Sequence, residues 1–188
     1  WGTGELGNNA VHALDLARWG LKVGLPNRVT CGGNRYFYQD DWETPDTTLA
    51  TFDFGRCGIA WEGQSCAPRG FEGASFGVSF YGDQGTLVMA GNNCVIYDLK
   101  DKVLREIKGR QADLFSFDSI HFANFADAIR EGKTLAAEIE EGQKSTLLCH
   151  LGNIAWRTGH TIDCDPQTGK ILGDKAAQAL WSREYRPG

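Results

Sequence analysis

The run LATFDF, residues 49–54, alternates apolar and polar side chains, and this alternation decides the fold class. In an extended chain Ala50, Phe52 and Phe54 fall on one side, and the residues between them fall on the other. The run FGVSF, residues 76–80, repeats the pattern. Alternation of this kind is typical of strands that bury one face more than the other. We therefore expect an antiparallel or mixed sheet.

Outward from this run, residues 27–108 are predicted to form successive strands joined by short turns. The segments GDQG, residues 82–85, and GNN, residues 91–93, have the composition of hairpin connections. The chain contains 24 glycines in 188 residues, which fits a middle region that is rich in turns.

Helices are predicted on both sides of the strands. Residues 8–21 carry an apolar stripe, with Asn8 or Asn9 as the N-cap. Residues 117–182 are predicted to form further helices with one short extended break, and Asp174 is the cap of the last helix.

Two of these later helices have distinct patterns. One carries an apolar stripe at i, i+3, i+4 and i+7 and ends at Gly132. The stripe consists of Phe122, Phe125, Ala126 and Ile129. Residues 138–158 form a longer helix whose second half is apolar on nearly all sides and should be buried. Gly142 and Gly152 inside it weaken a helix, so we expect another element to approach closely at both.

Composition and charge exclude several classes of protein. Apolar residues make up 41% of the chain and charged residues 23%, so the chain can bury a core. The net charge is −5 and there is no run of five basic residues, so we expect no nucleic-acid partner. No apolar run approaches the ~18–20 residues of a membrane helix. We expect no membrane partner either.

The chain starts without Met, and we interpret it as a piece of a longer protein. No basic segment followed by an apolar one is visible at its start. A cytoplasmic location is the default expectation, and export of the parent protein stays open.

The six cysteines do not have metal-site spacing. They are Cys31, Cys57, Cys66, Cys94, Cys149 and Cys164. None forms a C-x-x-C pair, so we expect no zinc site. Their even number permits three disulfides, but a chain of this length does not need them, and we expect free, buried cysteines.

The segment GTGELG, residues 2–7, matches the G-x-G-x-x-G pattern that cradles a dinucleotide pyrophosphate. That role requires a preceding strand, a βαβ unit and an acidic residue ~20 positions further on. The sequence predicts none of these here. We interpret the segment as a glycine-rich loop that leads into a helix.

His12 is the strongest candidate for proton chemistry. On a helix, Asn8 at i−4, Asp15 at i+3 and Trp19 at i+7 can share one face with it. A histidine between an amide and a carboxylate can exchange a proton near neutral pH. The alternative is that Asn8 is only an N-cap and His12 only a surface side chain.

Other candidate residues have simpler interpretations. His121 and His150 are expected to be hydrogen-bonded core or interface residues rather than ligands. Five aromatic residues on predicted strands and turns could stack on a sugar ring, but we expect them to pack on the sheet. They are Tyr36, Phe37, Tyr38, Trp42 and Trp61.

Three blocks of sequence resemble the Gfo/Idh/MocA oxidoreductases, the family of glucose–fructose oxidoreductase and inositol dehydrogenase. Residues 2–19 resemble the family's G-G-x-x-x-D-x-x-x-H-x-x-D segment, in which His12 takes the His position and Asn8 the first Asp position. Residues 121–132 resemble its H-x-x-N-F-x-D-A-I-R-x-G helix. Residues 140–159 are similar to its E-E-G-x-K-S helix, which ends N-I-A-x-R-x-G.

The resemblance implies a C-terminal domain over residues 1–188 as a single unit. Its fold would be α+β, similar to dihydrodipicolinate reductase, with a large open, mostly antiparallel or mixed sheet and helices on one face. The Rossmann domain, which would bind most of the NAD or NADP, is not in this chain. The family's sheet commonly mediates oligomers, so a homo-oligomer is expected.

The resemblance also implies an activity and its residues. The substrate would be a sugar, cyclitol or related polyol whose CH–OH group is oxidised or formed. His12 and Asn8 would be catalytic, and Asp15 would bind substrate. Asn8 cannot ionise, so His12 would be the main acid/base of this half, and the chain alone should be inactive. Two alternatives stay open: a redox-assisted glycosidase that uses NAD, and a non-catalytic module that dimerises or binds carbohydrate.

Overall fold

The computed structural model describes residues 2–109 and 114–183. The chain divides into two compact units. The first unit comprises Trp1–Pro68 with Gln143–Gly188, and the second unit comprises Arg69–Gly142. The sequence predicts one domain, whereas each of the two units has a sheet of its own.

Nine strands and four α-helices make up the described chain. The strands are β1 (Arg28–Asn34), β2 (Thr47–Asp53), β3 (Gly58–Gln64), β4 (Gly77–Gly82), β5 (Gly85–Ala90), β6 (Asn93–Tyr97), β7 (Val103–Ile107), β8 (Ile162–Cys164) and β9 (Ile171–Leu172). The helices are α1 (Val11–Leu21), α2 (Leu114–Glu131), α3 (Ile139–Thr158) and α4 (Lys175–Ala179). A π-helical turn, Leu6–Ala10, leads directly into α1.

The first unit contains a five-stranded antiparallel sheet in the order β3-β2-β1-β8-β9. Strand β2 confirms the alternation on which the fold class rests, because every second side chain from Thr48 to Phe52 is buried. Phe52 pairs with Val29 on one side and Ile59 on the other, and all three are buried. These side chains form the centre of the core.

Helix α3 covers this sheet. Its second half is buried as predicted, and the Trp156 indole donates a hydrogen bond to the Gly33 carbonyl at 3.0 Å. A Cβ at Gly152 would lie 3.2 Å from a Leu6 methyl and 3.7 Å from Phe52, which confirms the expected close approach. At Gly142 the same expectation is wrong, because no atom comes within 4 Å of a Cβ there. His150 is exposed and is not a core residue.

The first helix begins earlier than predicted. Asn8 and Asn9 lie inside the π-helical turn, and the residue before that turn, Glu5, already has helical backbone angles. Neither asparagine is therefore an N-cap. Asn9 instead donates a hydrogen bond to the Glu5 carboxylate. Helix α1 ends at Leu21. The next residue, Lys22, has a left-handed backbone conformation and donates its N–H to the Trp19 carbonyl at 3.3 Å.

The second unit contains a four-stranded antiparallel meander in the order β4-β5-β6-β7. Both predicted hairpin connections are confirmed, since they join β4 to β5 and β5 to β6. Helix α2 ends as predicted, with the Gly132 N–H bonded to the Ala128 carbonyl at 3.1 Å.

The apolar stripe of α2 differs from the expectation of a buried face. Phe122, Phe125 and Ile129 each remain more than half exposed, and His121 is exposed as well. Two other side chains of α2 bond to the segment that follows the helix. Asn124 accepts from the Ala136 N–H and donates to the Thr134 carbonyl, and Asp127 pairs with Lys133.

The fold is α+β with open, antiparallel sheets and helices, as predicted. The strands are divided between two sheets, because alternation identifies a strand but not the partner with which it pairs. All six cysteines are free; Cys149 and Cys164 are buried, and the other four are half-buried. Burial raises the pKa of the Cys149 thiol to about 12, which makes it unreactive.

Candidate functional site

One face of the first helix is exposed over its whole length. It carries the four residues that the spacing predicted to lie together. They are Asn8, His12, Asp15 and Trp19, and all four are exposed. The opposite face is buried and packs into the core, through Leu6, Ala10, Ala13, Leu14 and Ala17. The helix therefore presents its polar face outward from a fixed position.

His12 and Asn8 are available to a ligand. They lie one turn apart on the helix, at i and i+4. Within residues 2–109 and 114–183 neither side chain has a hydrogen-bond partner. An imidazole and an amide so placed can both bond to the same hydroxyl group of a bound molecule.

Unlike His12 and Asn8, Asp15 has partners within the protein, and these anchor the helix. Its Oδ1 accepts a hydrogen bond of 2.5 Å from the Ser145 hydroxyl on α3 and lies 3.9 Å from the Arg18 guanidinium. Its side chain is nevertheless 60% exposed. The carboxylate can therefore hold the helix and still meet a ligand.

Arg18 is the residue that the sequence reasoning missed. It is 3% exposed and donates to the Ser145 hydroxyl at 2.7 Å and to the Gly24 carbonyl at 3.1 Å. Its position was the available signal, because Arg18 follows Leu14 by four residues on the apolar stripe. A charged side chain at a buried position needs hydrogen-bond partners, and the bond from Arg18 to Ser145 connects α1 to α3.

A pocket of about 260 Å³ lies beside the N-terminal end of the first helix. Glu5, which directly precedes the π-helical turn, forms part of its wall. The loop between β1 and β2, residues 35–46, forms most of the rest, including Tyr38, Asp40 and Trp42. We name this segment the aromatic loop.

Asp46 fixes one end of the aromatic loop. Its carboxylate accepts hydrogen bonds from the backbone N–H groups of Tyr36, Phe37 and Tyr38 at 2.9–3.1 Å, and from the Thr47 hydroxyl at 2.9 Å. Burial by itself would raise the pKa of Asp46, but these hydrogen bonds outweigh it and lower the pKa to about 2. The carboxylate stays ionised at neutral pH.

Arg35 fixes the other side of the loop. Its guanidinium bonds to the Asp40 carboxylate at 2.6 Å, to the Tyr38 carbonyl at 3.1 Å and to the Thr44 carbonyl at 3.4 Å. Asp40 also accepts the Trp42 N–H at 2.8 Å. These bonds hold the loop in one conformation although it has no strand partner of its own.

The aromatic residues correct a sequence expectation. Tyr36, Phe37, Tyr38 and Trp42 do not pack on the sheet but are exposed on the aromatic loop. Trp61 on β3 is half-buried, and its indole N–H is buried with no hydrogen-bond partner in the described chain. A cluster of aromatic residues in the sequence does not distinguish a strand from a braced loop, so the exposure of these side chains could not be predicted.

The described residues contain no parallel βαβ unit of the kind found in Rossmann dinucleotide sites, because every sheet pairing among them is antiparallel. At Gly4, with φ of +61°, an added Cβ would lie 2.7 Å from the Thr44 Cβ. This glycine therefore permits close packing against Thr44 of the aromatic loop.

The described part of the chain contains no group of three His, Cys, Asp or Glu side chains placed to hold a metal ion. Among the helices of that same part, none has the length and apolar character needed to cross a membrane.

A family model for the C-terminal α/β domain of an oxidoreductase family, the Gfo/Idh/MocA group, matches residues 80–187, which is more than half of the chain. No curated protein matches the sequence significantly.

Three crystal structures contain a similar fold. An oxidoreductase from Agrobacterium radiobacter in complex with NAD⁺, L-tartaric acid and magnesium has a TM-score of 0.65 at 15% identity, over 83% of this chain and 48% of that one. The WlbA dehydrogenase from Bordetella pertussis, with NADH and UDP-GlcNAcA, has a TM-score of 0.57 at 15% identity, over 88% and 46%. Biliverdin reductase from Synechocystis, with biliverdin and NADP⁺, has a TM-score of 0.60 at 16% identity, over 79% and 45%.

The chain thus spans about half the length of these structures, and at such identities they show the fold alone. The matched model covers the second sheet and the helices after it, and the three sequence blocks cover both ends of the chain. Together they establish that this chain belongs to the Gfo/Idh/MocA oxidoreductase family and comprises its C-terminal α/β domain.

Proposed function

We propose that this chain is the substrate-binding and oligomerisation domain of an NAD(P)-dependent oxidoreductase that acts on the CH–OH group of a sugar, cyclitol or related polyol. The observation that carries the proposal is the exposed, unbonded His12 one turn from the Asn8 amide, on a helix anchored through Asp15 and Arg18. Family membership supports the reaction class.

His12 is the general acid/base in this proposal. Its imidazole accepts the hydroxyl proton when the substrate carbon is oxidised and returns a proton in the reverse direction. Asn8 orients the substrate hydroxyl or the imidazole by hydrogen bonding, since an amide cannot take up the proton. Asp15 contributes a partly exposed carboxylate that accepts a hydrogen bond from a second substrate hydroxyl.

The dinucleotide is assigned mainly to a domain outside this chain, because the described residues contain no parallel βαβ unit to bind it. Solved relatives with NAD⁺, NADH or NADP⁺ support the cofactor class. The chain alone is expected to be inactive. The open sheets leave a face to be covered, and we assign it to a second copy of the protein.

Turnover by the full-length protein that contains this chain tests the proposal. Formation of NADH or NADPH is followed with a panel of sugars, cyclitols and polyols. His12→Ala should lower kcat by at least ~10²-fold, the usual loss for a general acid/base. His150→Ala, which removes another exposed histidine of the first unit, is the matched control and should keep wild-type turnover. Wild-type kcat from His12→Ala would contradict the assignment.

The same assay separates the other activities that the sequence left open. Cleavage of a glycoside without net consumption of NAD would identify a redox-assisted glycosidase. A full-length protein that releases no nicotinamide dinucleotide on denaturation and shows no turnover would identify a non-catalytic module.

A further inference from the structure

We propose that the pocket between Glu5 and the aromatic loop is a subsite for an uncharged, polyhydroxylated ring, with Trp42 as its stacking platform. This inference rests on the proposed function and narrows its substrate class. The solved relatives named above hold L-tartaric acid and UDP-GlcNAcA, both of which carry negative charge. The present pocket has the opposite preference.

The pocket is built in advance of binding. Asp46 fixes three backbone amides at one end of the aromatic loop, and Arg35 ties the loop to Asp40 and to the Thr44 carbonyl. A loop held in this way loses little conformational freedom when a ligand binds. Its volume of about 260 Å³ is slightly smaller than the usual range for ligand pockets and suits a single ring.

Trp42 provides the apolar surface. Its side chain lines the pocket and is 59% exposed, while its backbone N–H is held by Asp40 at 2.8 Å. An exposed indole beside polar groups presents a flat apolar face to solvent at a fixed position. The C–H face of a pyranose or cyclitol can cover that indole, which removes apolar surface of both partners from water.

The charges of the lining determine which ligand fits. The described lining includes three carboxylates and one guanidinium. The carboxylates are those of Glu5, Asp40 and Asp46, and the guanidinium is that of Arg35. Arg35 is already paired with Asp40, so the described residues that line the pocket offer no free cation to receive an anion. The Asp46 carboxylate is buried and already accepts four hydrogen bonds, so Glu5 and Asp40 are the acceptors for a ligand. Carboxylate oxygens only accept hydrogen bonds, and the hydroxyl groups of a neutral ring donate them. A carboxylate or phosphate on the ligand would be repelled.

Binding to the full-length protein that contains this chain tests this directly by saturation-transfer NMR and calorimetry. The probes are methyl β-D-glucopyranoside, myo-inositol and D-glucuronate. The neutral probes should bind at least about tenfold more tightly than glucuronate, a difference of roughly 1.4 kcal/mol. Trp42→Ala should weaken the binding of the neutral probes about tenfold, and Trp42→Phe should retain most of it. Tyr81→Ala, which removes an exposed aromatic residue of the second unit, should leave the affinity unchanged.

Two results would overturn the inference: glucuronate binding as tightly as the neutral probes, or neutral probes binding equally to wild type and Trp42→Ala. Failure of the proposed function looks different. If neutral rings bind at Trp42 but the full-length protein shows no dinucleotide-dependent turnover, the subsite stands and the oxidoreductase assignment fails. If turnover depends on His12 while Trp42→Ala changes neither KM nor affinity, the subsite fails and the assignment stands.

Discussion

A single hydroxyl group, that of Ser145, connects the helix that carries His12 to the helix that covers the sheet. It accepts a hydrogen bond from Arg18 and donates one to Asp15, and both Ser145 and Arg18 are buried. The position of His12 therefore depends on a residue that is 133 positions away in sequence (145 minus 12). Sequence reasoning identified His12, Asn8 and Asp15 from their spacing along one helix, but a contact between helices leaves no such spacing.

Ser145→Ala should destabilise the protein. It removes an acceptor from the buried Arg18 guanidinium and a donor from Asp15, a loss of about 1–3 kcal/mol in the free energy of unfolding. Denaturant unfolding measures the change, and Ser182→Ala, at an exposed serine, should stay within about 0.5 kcal/mol of wild type. Equal stability of Ser145→Ala and Ser182→Ala would show that this hydroxyl does not anchor the helix.

Asp46 makes the aromatic loop sensitive to acid. Its pKa is lowered from the ordinary 3.8 to about 2 in the folded protein, so the unfolded chain takes up its proton first as the pH falls. The stabilisation is therefore complete above about pH 4 and is lost as the pH approaches 2.

Asp46→Asn should be less stable than wild type at pH 7, because an amide nitrogen cannot accept the N–H groups that one carboxylate oxygen now receives. The difference in unfolding free energy should narrow between pH 4 and pH 2, measured as urea unfolding of both proteins. Asp83→Asn, in the exposed β4–β5 turn, is the control and should track wild type at every pH. A stability difference that is constant with pH would refute the role of the charge.

At the scale of elements, α3 contains Gly142 near its start and is followed by Gly159, and these two glycines have opposite conformational requirements. Gly142 lies near the first turn, with no atom within 4 Å of an added Cβ. Gly159 follows the helix with φ of +68°, and its N–H bonds to the Ala155 carbonyl at 2.9 Å. The first position has ordinary helical backbone and open space, whereas the second requires the left-handed conformation that ends the helix.

Gly142→Ala should raise the free energy of unfolding by about 0.5–1 kcal/mol, because alanine loses less backbone entropy in a helix. Gly159→Ala should lower it by about 1–2 kcal/mol, because a side chain is strained in the left-handed region. Thermal unfolding of the two variants beside wild type measures both. Shifts of the same sign would contradict this description of α3.

The elements also show what local sequence can predict. The hairpin at residues 82–85, the end of α2 at Gly132 and the Asp174 cap, which accepts the Ala177 N–H at 3.0 Å, were all predictable because each depends on neighbouring residues. The supposed caps Asn8 and Asn9 failed because the helix already begins before them. The exposed aromatic loop was missed because Asp46 braces it from about ten residues away.

At the scale of the whole molecule, the pairing of strands could not be predicted from the sequence. Alternation predicted strands throughout residues 27–108, but β8 and β9 join the first sheet from beyond residue 160, and β4–β7 form a second sheet. Such non-local pairings depend on which faces the completed core buries. The family resemblance, in contrast, was carried by three local blocks and is confirmed by the family match.

The central claim is that His12 of this domain moves the substrate proton in an NAD(P)-dependent oxidoreductase. The most direct test compares kcat of the full-length protein with kcat of its His12→Ala variant, with a saturating dinucleotide and a neutral polyol. Loss of the general acid/base should make the variant slower by at least ~10²-fold. A similar kcat for wild type and His12→Ala would contradict the assignment.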